Sequence, residues 1–325
     1  MDKKHSVGGQ AVIEGVMMRG AKGIATAVRK EDNTIELKIE KIVPYAKRNK
    51  FFGLPIIRGF VSLVESMIIG IKTLNYSASF FEDEEDNEPS KFDEFLSKIF
   101  KDKTNDALMA ISLCISIVFA VGIFFALPTF AANIFKNLNV HNTVILNLLE
   151  GVIRVTIFIL YLYLIGKMSD IQRVFQYHGA EHKTVFCYEN DDELTPENAS
   201  KYSRFHPRCG TNFLFLVMII SIFVFSLTGW NSLIFRIISR IVLLPIVSGV
   251  TYEVIRWMGR SDNGLSKIFS YPGLMLQKFT TREPDYSQLE VAIKALKGAE
   301  GIVDSENVDG VEDKNFVEDK AYENK

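Results

Sequence analysis

Four long apolar blocks govern what this chain can fold into. They cover roughly 107–135, 144–166, 212–230 and 233–258, and each reaches the ~18–20 residues a helix needs to cross a hydrocarbon layer. Within such a layer the backbone must satisfy its own polar groups, so the blocks predict helices and not open strands. Two short polar links, Lys136–Asn142 and Trp230-Asn231-Ser232, join them in pairs. The expectation is two membrane hairpins. Pro128 interrupts the first block, and Pro245 predicts a kink in the fourth.

Upstream lies a different kind of apolar segment. Across residues 54–81, Arg58, Glu65 and Lys72 recur every seven residues, a spacing that keeps all three on one stripe of a helix. We expect an amphipathic helix lying in the membrane interface, with a re-entrant segment or a fifth span as the alternatives. Still earlier, Ile24–Arg29 and Thr34–Ile42 alternate apolar and polar residues around Glu31-Asp32-Asn33, which predicts a β-hairpin. The glycine-rich Val7–Gly20 stretch has no helical period and lacks the Lys-Ser/Thr ending of a phosphate-binding loop.

The expected fold class is therefore mainly α: a polytopic helical membrane protein with four spans in two hairpins, an amphipathic interfacial helix and a small N-terminal β-rich cap. In chain order we expect the β-rich cap (1–50), the interfacial or re-entrant helix (51–81) and an acidic linker (82–106). Hairpin one (107–166), a His/Cys loop (167–211) and hairpin two (212–258) follow. A C-terminal segment (259–300), ending in a short amphipathic helix over Asp285–Glu300, precedes an acidic tail (301–325) expected to be disordered.

Basic residues flank the first span at Lys98, Lys101 and Lys103, fill the interval between hairpins, and return after the last span at Arg256, Arg260 and Lys267. With four spans these all fall on one side, so both termini and the His/Cys loop are expected to be cytoplasmic in a multi-pass cell-membrane protein. The N-terminus lacks the apolar core of a signal peptide, leaving insertion to the internal blocks. A net charge of −2 gives no nucleic-acid signature. Three cysteines are too few for a disulfide framework, and Cys114 reads as a small core residue. Expected partners are membrane lipids and an unidentified substrate or protein; oligomerisation is left open.

The chemistry concentrates between the hairpins. His178-Gly-Ala-Glu181-His182 places two imidazoles one helical turn apart with a carboxylate beside them. The same order serves metal binding and water activation in inverted zinc-peptidase motifs. His206-Pro-Arg-Cys209 adds a second close pair, and imidazole with thiolate suits a divalent metal such as zinc. Four protein ligands (His178, His182, His206 and Cys209) would close a structural site, whereas three would leave a position for water. Glu253 is an alternative ligand, and Glu181 is the candidate general base.

A second constellation, Glu150, Arg154, Arg236 and Arg240, lies within the apolar blocks. The arginines are candidates for contacts to an anion or lipid headgroup; the plainer reading has Arg236 snorkelling and Glu150 neutralising one arginine.

Five ordered motifs carry a resemblance. They are Gly8–Arg19, Pro55-Ile-Ile-Arg58-Gly, Tyr177–Lys183, Ser203–Thr211 and Thr281–Asp285, and through them the chain resembles the bacterial YqhQ-like family, a domain of unknown function described as a predicted metal-dependent membrane enzyme. The resemblance implies a membrane protein with a metal site and supplies no reaction. The leading expectation is a metal-dependent hydrolase acting on a membrane-associated substrate. A metal-stabilised scaffold or assembly factor without catalysis is the alternative, and a transporter is a third.

Overall fold

The computed structural model describes residues 7–41, 44–81, 104–137, 142–227, 232–258 and 264–302. The acidic linker around Glu82–Glu88, most of both polar links, Arg260 and nearly all of the acidic tail lie outside them.

The N-terminal residues form one antiparallel sheet whose strands follow chain order: β1 (Gly8–Val12), β2 (Gly15–Arg19), β3 (Ile24–Arg29) and β4 (Ile35–Glu40). Strand periodicity sorts its side chains into two cores. Val16, Met18, Ala25 and Ala27 enter one, and Val12, Met17, Ile24 and Val28 enter the other. Both faces are therefore covered by other elements.

The helices are α1 (Tyr45–Arg48), α2 (Ile57–Ala78), α3 (Thr104–Val121), α4 (Leu127–Asn137), α5 (Thr143–Ile165), α6 (Ser169–Glu189), α7 (Pro196–Ser200), α8 (Gly210–Ser226), α9 (Leu233–Met258), α10 (Gly264–Thr280) and α11 (Tyr286–Glu300). A π-helical turn, Gly122–Ala126, joins α3 to α4. Among the described residues, three continuous stretches are long and apolar enough to cross a membrane: Ile111–Phe135, Thr143–Ile165 and Ile234–Met258. The third apolar block instead forms α8, whose 17 residues rise about 26 Å at ~1.5 Å each. The expectation of four spans thus becomes three helices of spanning length and one shorter apolar helix. Cys114, expected in a core, is exposed on the outward face of α3 with Ile115, Val118 and Phe119.

The sheet sits between helices. Tyr177 and Ala180 of α6, with Leu289, Ala292 and Leu296 of α11, cover one face. Ile69 and Tyr76 of α2, with Phe80, cover the other. α11 begins at a capping box, Asp285 with Gln288, and ends at Gly301 in the left-handed conformation. It was expected as an amphipathic helix, but most of its residues are buried, so it forms the centre of the cap.

α2 is built inside out for a water-soluble helix. Glu65, Thr73 and Ser77 are buried, while Phe60, Val64, Met67, Ile68, Ile71 and Leu74 face outward. An apolar outer face against a polar inner one suits a helix bathed in lipid. The Tyr45 amide donates to Glu65 Oε1 at 3.3 Å, so the chain preceding α2 doubles back beside it. The tip of this doubled segment exposes Phe51, Phe52, Leu54 and Ile56.

Candidate metal centre

α6 carries His178 and His182 on one face, with ring centroids 4.5 Å apart. Each imidazole is fixed by a backbone carbonyl: His178 Nδ1 lies 2.9 Å from Thr280 O, and His182 Nδ1 lies 2.6 Å from Arg204 O. Carbonyl oxygens only accept, so both Nδ1 atoms carry the hydrogen and both Nε2 atoms present lone pairs. This is the orientation that outer partners impose on metal-binding histidines. His178 Nε2 lies 3.2 Å from Cys209 Sγ. His182 Nε2 has no hydrogen-bond partner, although Glu181 Oε2 stands 3.3 Å away. Two lone-pair atoms facing each other at that distance require a shared cation or proton.

The ligand atoms of His178, His182 and Cys209 all lie within 4.8 Å of one another. One tetrahedral zinc separates such atoms by about 3.3–3.6 Å, so a small contraction completes the geometry. Cys209 is the N-cap of α8, where its Sγ accepts from Thr211 N at 3.5 Å and Thr211 Oγ1 at 3.4 Å. Pro207 holds the preceding residue extended, so this second pair lies on a turn that folds back onto α6.

Close backbone approaches hold the parts together. A Cβ on Gly9 would meet Met17 O at 2.4 Å and Glu181 Cγ at 2.9 Å, so β1 lies directly over the Glu181 stem. One on Gly179 would lie 2.1 Å from Arg282 O. That contact brings the end of α10, and with it the Thr280 carbonyl, against His178.

His206 is close but differently used. Its main chain is clamped by Gln277, which accepts from His206 N at 2.8 Å and donates to His206 O at 2.7 Å. Its Nδ1 accepts from Arg208 N at 3.3 Å, so in the neutral ring the hydrogen sits on Nε2. That atom is buried without a hydrogen-bond partner; Glu189 Oε2, at 3.6 Å, is too far to accept. Burial lowers the His206 pKa below the ordinary imidazole value, against the opposing pull of Glu181. Hence the structure brings His178, His182 and Cys209 together, sets Glu181 against them and leaves His206 outside the three-atom group. Glu253 is elsewhere: its carboxylate is held by Arg58, with Nε 2.6 Å from Oε1. A cavity of about 730 Å3 opens beside the centre, lined by Glu181, His182, His206 and Cys209 and also by Gly9 and Arg19. Sequence reasoning did not assign functional roles to Arg19, Gln277 or Thr280, because their parts in the site arise from long-range packing.

The family model described as "Protein of unknown function (DUF1385)" matches residues 54–301. The chain belongs to this family. It is 36% identical over 303 residues to the uncharacterized protein YqhQ of Bacillus subtilis (strain 168), an alignment covering 90% of this chain and 93% of that one. No solved structure matches the chain. The family region contains every residue of the His/Cys centre and Thr280, whereas β1 to β4, with Gly9 and Arg19, precede it.

This family member holds its second constellation among the apolar helices. Glu150 accepts from Arg154 at 2.8 Å and Thr129 at 3.0 Å on one oxygen, and from Arg236 at 2.8 Å and Arg240 at 2.6 Å on the other. Arg236 also donates to Asn133 Oδ1 at 2.7 Å. It turns inward and is 2% exposed, so it does not snorkel. Pro128 has no amide to give the Phe124 carbonyl one turn earlier; Arg154 Nε donates to it instead, at 3.0 Å.

Proposed function

We propose that this chain is an integral membrane metalloenzyme of hydrolytic type, with zinc held by His178, His182 and Cys209. One observation carries the reading: two imidazoles, each tied through Nδ1 to a carbonyl, direct their Nε2 atoms toward one sulfur. A divalent ion there would supply Lewis acidity toward water and toward the substrate's polar oxygen. Glu181 would take the proton from the attacking water, a task its position beside His182 suits. His206 carries its hydrogen on Nε2 and so would serve as a hydrogen-bond donor in preference to a fourth ligand. Three protein ligands beside a cavity favour catalysis over a closed structural site. Basic flanks support a cytoplasmic centre in a multi-pass cell-membrane protein.

The test is metal analysis of the full chain purified in detergent without chelator. About one zinc per chain is the expected result for a three-ligand centre; absence of stoichiometric metal overturns the reading. The outward apolar face of α2 favours a second reading, a metal-stabilised scaffold for other membrane proteins. Glu181→Gln separates the two. An enzyme loses function in complementation while keeping its metal, and a scaffold keeps both.

A further inference from the structure

The cavity beside the His/Cys centre is lined unevenly in charge. Arg19, at the end of β2, reaches its wall and makes no ion pair among the described residues. Arg208 lines it too, partly neutralised by its ion pair with Glu189. Gly210, the first residue of α8, lines the same space, while the next two amides of that helix are already taken by Cys209 Sγ and the Cys209 carbonyl. A Cβ on Gly8 or Gly210 would meet nothing within 4 Å, so these glycines keep room in the cavity and serve no packing need. His206 supplies the decisive, independent observation. It is 4% exposed, it lines the cavity, and its Nε2–H lacks an acceptor among the described residues. A buried donor without an acceptor is costly, and an oxygen of a bound anion would satisfy it.

We propose that this cavity binds a phosphate group, held by Arg19, by the Nε2–H of His206 and by the N-terminus of α8 against the His178/His182/Cys209 centre. Guanidinium, imidazole N–H and the Gly210 amide at a helix N-terminus, all lining one space, match the several oxygens of a tetrahedral anion. Glu181 is the opposing charge in the lining, and it lies beside His182 with its stem under Gly9. Ser66 and Ile69 of α2 form a further wall, and the opposite face of that helix is the outward apolar one. The phosphate therefore belongs either to a phospholipid headgroup entering beside α2 or to a water-soluble phosphate ester. The proposal rests on the hydrolase reading for the reaction, but binding can be measured without it.

The full chain in detergent, loaded with zinc, is titrated with inorganic phosphate by calorimetry. Saturable binding is expected, weakened about tenfold or more by Arg19→Gln and by His206→Gln, as for loss of a charge-assisted or buried hydrogen bond. Both variants should keep the zinc content of the parent, and Lys72→Gln on α2 should bind as the parent does. Arg19→Lys, which keeps the charge, should retain part of the affinity and guards against a folding defect in Arg19→Gln. Displacement of phosphate by dihexanoyl phosphatidic acid in preference to glycerol 3-phosphate assigns the lipid source, and the reverse order the soluble one. No saturable phosphate binding, or binding that Arg19→Gln and His206→Gln leave unchanged, overturns the proposal. Arg19-dependent phosphate binding by a protein that takes up no metal would sink the hydrolase reading and leave the pocket standing.

Discussion

The two buried polar clusters converge in opposite senses. Around Glu150, three arginines and Thr129 aim donors at a carboxylate that is already there. Around Cys209, two imidazoles aim lone pairs at one another's neighbourhood, and His182 Nε2 finds no protein donor. The first cluster supplies its own acceptor and ties α4, α5 and α9 together. The second leaves His182 Nε2 without a hydrogen-bond partner among the described residues, beside the Glu181 carboxylate. Buried charge alone therefore does not identify a functional site; the direction in which donors and acceptors point does.

The largest expected effect tests the self-contained cluster. Glu150→Gln removes the one carboxylate that three guanidinium groups share among the described residues, and breaking such a buried network costs about 3–5 kcal/mol. We expect loss of folded, monodisperse protein on size exclusion and a steep fall in thermal midpoint. A variant that unfolds like the parent would show that the arginines are compensated from elsewhere, and the contrast between clusters would collapse.

The incomplete cluster should instead respond through metal. His178→Ala, His182→Ala and Cys209→Ser are each expected to weaken zinc by more than the about 10–100-fold typical of losing an outer partner. His206→Gln should leave zinc affinity within a few-fold. Equal losses at all four positions, read by competition with a chromogenic chelator, would restore a closed four-ligand site.

Packing over the centre gives a smaller effect. Gly9→Ala drives a methyl group into Met17 O and the Glu181 stem, which should cost about 1–3 kcal/mol in thermal unfolding. Acid sensitivity gives the smallest. Burial lowers the His206 pKa in the folded chain, so the unfolded chain takes up the proton first. The resulting stability is complete above the unfolded value of about 6.5 and is lost as pH falls below it, by at most ~1.4 kcal/mol per unit. His206→Gln should flatten that limb of the stability profile. An unchanged profile would mean that His206 titrates normally.

Local rules made the His178/Glu181/His182 face readable, because residues three and four apart share one side of a helix. Pro207 similarly announced that Cys209 lies on a turn. The place of His206 outside the three-atom group was not readable, since it depends on the Arg208 amide and on Gln277, 71 residues away. α10 was hidden by Pro272 in its interior, and its place against α8 depends on Gly273 meeting Asn212. The strand pair Ile24–Arg29 and Ile35–Glu40 followed from period-two alternation, whereas Gly8–Val12 and Gly15–Arg19 carry too many glycines to signal it. Apolar length marked three helices of spanning length, and within the third block the described helix, Gly210–Ser226, is a shorter apolar one.

The Thr280 carbonyl that orients His178 lies 102 residues downstream of it. A nascent chain with both motif histidines and Cys209 in place still has one imidazole free to rotate until α10 docks. On the proposed zinc reading, metal uptake would therefore become favourable only once nearly the whole family region has assembled, a completion signal for folding. A chain cut short after α9 would keep all three proposed ligands and, on that reading, is expected to bind zinc poorly.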